Sequence, residues 1–69
     1  MIPNVITLRE RRAHRALRLS GLDDTYARLL AWNLEHQPAW NNIDRANNVR
    51  LALRCDMDAA AAVIRQVGY

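Results

Sequence analysis

Few side chains in this sequence can carry covalent or proton-transfer chemistry, and their spacing keeps them apart. Ser20 and Cys55 each stand alone as nucleophile candidates, with no base placed to activate either. His14 sits among arginines and His36 near a helix end, and both read as ordinary surface residues. Gly21 and Gly68 fall where helices should stop, so they read as terminators and not as a phosphate-cradling loop. Cys55 is the only cysteine, which excludes an internal disulfide, and no Cys/His spacing suits zinc. The residues therefore point to a non-enzyme with no metal and no cofactor, acting through its surfaces.

Three surfaces stand out. Arg11, Arg15 and Arg18 follow one another at four and three residues, which lines their guanidinium groups along one helical ridge. Such a row can grip phosphates, pair with an acidic protein patch, or simply be a solvated face. The second surface is Trp32 with Tyr26, Arg28 and His36. Aromatic and arginine side chains are over-represented among binding hot spots, so this group reads either as a partner anchor or as a Trp packed on the first helix or in a homodimer. The third is Trp40, Asn47, Arg50, Leu51 and Arg54, where Asn and Arg on one helical edge suit base reading in a major groove. No recognition helix follows it.

Charge is local. The net charge is +3, yet residues 1 to 19 hold five arginines against one glutamate, while the remainder holds five arginines against six acids. All basic residues are Arg and none is Lys; eleven alanines beside ten arginines also fit a GC-rich coding bias. With 69 residues the chain has room for one domain, whose core alone gives roughly 3–5 kcal/mol. Self-association is the remaining support, so a homodimer is expected. An apolar share of 51% argues against disorder, and no apolar run approaches the length of a membrane span. With a lone cysteine and no leader-like opening, a cytoplasmic location is expected.

The elements that position these residues are helices, and the fold class is an all-α bundle of three to four. Starts and stops predict helices over about 8–19, 24–36, 41–54 and 57–67. Thr7 to Glu10 has the form of a capping box, and at about 100° per residue Val5, Leu8, Ala16 and Leu19 share an apolar side, flanked by Ala13 and Leu17. Asp23 or Asp24 caps the second helix, whose stripe reads as Tyr26, Leu29, Leu30 and Leu34 with Ala27, against a polar side of Arg28, Ala31 and Glu35. Beyond Pro38 a longer stripe runs through Ile43, Ala46, Val49, Leu53, Met57, Ala60, Ile64 and Val67. It predicts a core or dimer face on one long helix or on two nearly collinear ones, with a break or kink favoured near Cys55.

The opening Leu8-Arg9-Glu10-Arg11-Arg12-Ala13-His14-Arg15, the ending Asp58-Ala59-Ala60-Ala61-Ala62-Val63-Ile64-Arg65 and the overall length resemble the small quorum-sensing anti-activators of Mu-like Pseudomonas phages. The resemblance implies a compact helical dimer that binds a LuxR-type transcriptional regulator and blocks its DNA binding. It also implies binding to the ATPase of type IV pilus assembly. The leading expectation is thus an inhibitor or adaptor of host proteins, and the alternative is a small Arg-rich DNA-binding regulator.

Overall fold

Each helix begins at a residue whose side chain replaces a missing backbone partner. Thr7, Asp23, Asn41 and Asp56 lie in extended backbone and accept from the amides of Glu10, Tyr26, Asp44 and Ala59. In the computed structural model, which describes residues 6–69, they open α1 (Leu8–Leu19), α2 (Asp24–His36), α3 (Asn42–Leu53) and α4 (Met57–Val67). No strand occurs among the described residues. No helix there is long and apolar enough to cross a membrane.

Three of the four helices stop on a residue with positive φ. Gly21 (φ 102°) and Gly68 (φ 113°) do so at no steric cost, and each lets the next amide close on the last turn: Leu22 to the Leu17 carbonyl and Tyr69 to that of Ile64. Arg54 does the same after α3 with φ 55°, although it carries a side chain, and the Cys55 amide reaches the Arg50 carbonyl. Residues 41 to 67 are therefore neither one helix nor two collinear ones. The chain reverses at Arg54 to Asp56, and α4 packs back along α3. The start of α3 meets the end of α4, where Asn42 Nδ2 donates to the Tyr69 carbonyl at 2.9 Å.

α1 and α2 form the other antiparallel pair, and α4 packs against α1. The core between them consists of Ala13 and Leu17, Ala27, Leu30, Ala31 and Leu34, Ala46 and Val49, and Ala60, Ile64 and Val67. Alanines recur on all four helices, so the backbones approach closely, and Trp40, Leu53 and Tyr69 close the edges.

Several faces differ from the sequence expectation. In α1 the buried side is Glu10, Ala13 and Leu17, while Leu8 and Leu19 are 69% and 78% exposed; Val5 lies outside the described residues. α1 is wedged between α2 and α4, and Ala13, Leu17 and the paired Glu10 fill that space. Glu10 does not complete a capping box but turns inward to pair with His36 at 3.2 Å. In α2, Ala31 is buried, whereas Tyr26 and Leu29 are exposed. Of the long stripe, Ala46, Val49, Ala60, Ile64 and Val67 are buried inside the chain and Leu53 is half-buried, while Ile43 and Met57 are exposed. Folded at Arg54, the stripe becomes two facing halves of the chain's own core and is not available as a continuous dimer face.

Candidate protein-binding face of the first helix pair

The register of α1 against α2 is set by polar pairs that cross between them. Arg9 Nε donates to Glu35 Oε1 at 3.0 Å, His36 Nε2 lies 3.2 Å from Glu10 Oε1, and His14 Nε2 lies 2.8 Å from Asp24 Oδ1. His36 is exposed and His14 half-buried, so both lie at the surface, and each also ties the helices together through a carboxylate on the other one. This antiparallel register brings Arg11 to the level of Trp32.

Asp24 is the centre of the face. Its carboxylate takes Arg28 Nε at 2.8 Å and His14 at 2.8 Å, with Arg18 3.6 Å away. Hydrogen bonds from Arg28 and then His14 outweigh the mild effect of desolvation and hold its carboxyl below the usual range. One acid thus gathers the bases of two helices onto one side of the molecule. Arg11 and Arg15 are exposed beside them and make no ion pair among the described residues. Along this side His14, Arg15, Arg18 and Leu19 line a shallow, open depression.

Trp32 lies on the solvent side of α2, 47% exposed, with its ring 4.8 Å from that of His36. Arg28 precedes it by one turn. Asp24 thus draws Arg18 and Arg28 together and His36 lies against Trp32, and at about 100° per residue the helical phases of Arg11 and Trp32 turn both toward this side, with Arg15 farther out. Tyr26 is not among them. Six residues from Trp32, it points about 120° away around α2, and exposed Leu29 stands between the two.

Arg9 belongs elsewhere despite its place in the basic segment. Its guanidinium lies 4.4 Å over the Tyr69 ring while it holds Glu35, and Arg45 lies 4.4 Å over the same ring. Glu35 also accepts from the Thr7 hydroxyl at 3.0 Å and the Tyr69 hydroxyl at 2.7 Å. Burial pushes the Glu35 carboxyl up, but these hydrogen bonds prevail and leave it below its ordinary value. Burial, followed by Glu35, raises the Tyr69 phenol well above the usual range.

The edge of α3 is internally paired, since Arg50 donates to Asn47 at 2.8 Å, and Trp40 is half-buried against the core. Neither is presented as a free base-reading group. The signals missed in the sequence are Asp24, whose role needs both helices, and exposed Leu8, Leu19 and Leu29, which periodicity placed inside. Among the described residues no cluster of three or more His, Cys, Asp or Glu side chains could hold a metal ion. No family model, curated protein or solved structure matches the chain.

Proposed function

We propose that the chain is a small non-enzymatic inhibitor or adaptor that docks on a host protein through the outer face of α1 and α2. The observation that carries this reading is half-exposed Trp32, tilted against the His36 ring and turned toward the side that bears Arg11, Arg18 and Arg28. A tryptophan left outside the core of so small a domain, among arginines, has the make-up of a binding hot spot. The likeness of its Arg-rich opening and Ala-rich ending to phage anti-activators supports a LuxR-type transcriptional regulator as the partner, held off its DNA. It supports the type IV pilus assembly ATPase as a second partner and a cytoplasmic homodimer as the working form. With most of the long stripe buried in the core, the adjoining exposed side chains of Tyr26 and Leu29 on α2 offer a surface for self-association.

The test is Trp32→Ala, assayed for capture of a purified LuxR-type regulator and for relief of its DNA binding. Capture should weaken at least about tenfold with helicity unchanged. Loss of helicity would move Trp32 into the structural core, and unchanged capture would end this reading.

A second reading, a DNA-binding regulator, rests on the Arg11, Arg15, Arg18 row. It predicts duplex binding whose logarithm falls steeply with the logarithm of salt; absence of binding at low salt excludes it.

A further inference from the structure

We infer that the partner element seated on this face is an acidic amphipathic helix, an identification that rests on the docking reading above. The charge balance argues first. Arg11, Arg15, Arg18 and Arg28 share one side of the molecule with Asp24, which is already engaged by Arg28, His14 and Arg18, while Glu10 is buried against His36. The face retains a surplus of guanidinium groups, and each can take a carboxylate in bidentate geometry.

The apolar residues argue second. Leu8 and Leu19 are among the most exposed large side chains of the molecule, and they lie on the same outward side of α1 as Arg12 and Arg15, at helical spacings of four, seven and eleven residues. Three turns, about 16 Å, separate the two leucines. A partner helix of three to four turns laid along α1 can cover both while its acids reach the arginines between them, and Trp32 closes the inner side at the level of Arg11. Helix-on-helix recognition uses this combination of spaced apolar anchors and flanking charge.

Duplex DNA fits the arginines but not the leucines, because a phosphate backbone offers them no apolar cover. The sign of charge also constrains how DNA binding by a regulator is blocked. A DNA-contacting surface is itself basic and repels this face, so the chain sits on a neighbouring acidic helix and excludes DNA by its bulk.

The experiment titrates the full chain with a synthetic helical peptide carrying one leucine stripe flanked by glutamates, followed by calorimetry and by amide shifts. Controls are the same peptide with Gln for Glu and a short DNA duplex. Binding is expected, with shifts along the outer side of α1 and around Trp32. It should weaken at least about tenfold in Arg11→Glu/Arg15→Glu and several-fold in Leu19→Asn. Arg11→Gln/Arg15→Gln, which only removes charge, should give an intermediate loss at an unchanged melting temperature, separating recognition from folding. No binding of the acidic peptide, equal binding of the Gln peptide, or an affinity untouched by charge reversal would overturn the inference. Tighter binding of the duplex would replace it with nucleic-acid recognition. Regulator capture that survives charge reversal but is lost in Trp32→Ala would leave the docking reading standing and remove the acidic helix alone.

Discussion

The Tyr69 hydroxyl donates to Glu35 Oε1 at 2.7 Å, joining the residue that follows the α4 stop to the last turn of α2. The same oxygen takes Arg9 from α1, and the Tyr69 ring lies between Arg9 and Arg45 of α3. Contributions from every helical layer thus converge on one aromatic ring and one carboxylate. Among the described residues no large aromatic is buried in the core, and this cluster joins the two helix pairs near the surface.

Tyr69→Phe keeps the ring between the two guanidinium groups and removes only the hydrogen bond. Glu35 still holds Arg9 and Thr7, so the cost should lie at the low end for a bond to a charged group, about 1.5 kcal/mol. For a domain of this size that lowers the melting temperature by about 6–12 °C. Tyr69→Ala also removes both cation–π contacts and should cost visibly more. Equal melting curves for wild type and Tyr69→Phe would show that the hydroxyl contributes nothing.

Acid should act through Asp24 and Glu35. Both carboxyls are held below their ordinary values of 3.8 and 4.5 in the folded chain, so the stability they add is present above those values and is lost as pH falls through the lower folded ones. Denaturant midpoints should therefore hold steady in the mildly acidic range and fall below about pH 4. Asp24→Asn and Glu35→Gln should each flatten that fall. At the alkaline end the sign reverses: Tyr69 is raised, so its stabilisation is complete below the ordinary phenol value of 10.0 and declines as pH rises through its higher folded one.

Caps and stops were the legible part of the fold. Thr7, Asp23, Asp56, Gly21 and Gly68 each announce a helix end by local chemistry that needs no neighbour, and each performs that role in the structure. The rotational phase of α1 was not legible. Its inward side is Glu10, Ala13 and Leu17, a polar, a tiny and a single large residue, and nothing in their hydropathy outranks Leu8 and Leu19 until α2 supplies His36 and α4 takes up the space. Trp32 was legible as an off-stripe residue because α2 carries enough leucines to fill its inner face without it. Asp24 and Tyr69 were not, since their partners lie on other helices.

The reversal between α3 and α4 was legible only as a break or kink near Cys55, because the residue that turns the chain is an arginine. Arg54 holds φ 55°, a conformation that costs a side-chain-bearing residue roughly 1 kcal/mol relative to glycine. Arg54→Gly should therefore raise stability by about 0.5–1 kcal/mol, read as a higher melting temperature with the same helix content. Arg54→Val, β-branched at the same φ, should lower it by at least as much. A drop in stability on Arg54→Gly would mean that the guanidinium makes up for the strain.

Leu29 and Leu30 give the sharpest check on the corrected face of α2. Adjacent in sequence and identical in chemistry, they differ in environment: Leu29 is 60% exposed between Tyr26 and Trp32, and Leu30 is 6% exposed in the core. Leu30→Ala empties space between packed helices and should cost about 2–4 kcal/mol, a large share of what a domain this small possesses. Leu29→Gln removes a side chain that mostly faces water and should stay within about 0.5 kcal/mol in a dilute sample. Its effect should grow with protein concentration if Leu29 is covered by a second copy, because a dimer's stability rises with concentration while a monomer's does not. Chemical denaturation of both variants at two concentrations reads the packing phase and the use of this face together. A costly Leu29→Gln at high dilution would return Leu29 to the core and restore the stripe as read from periodicity.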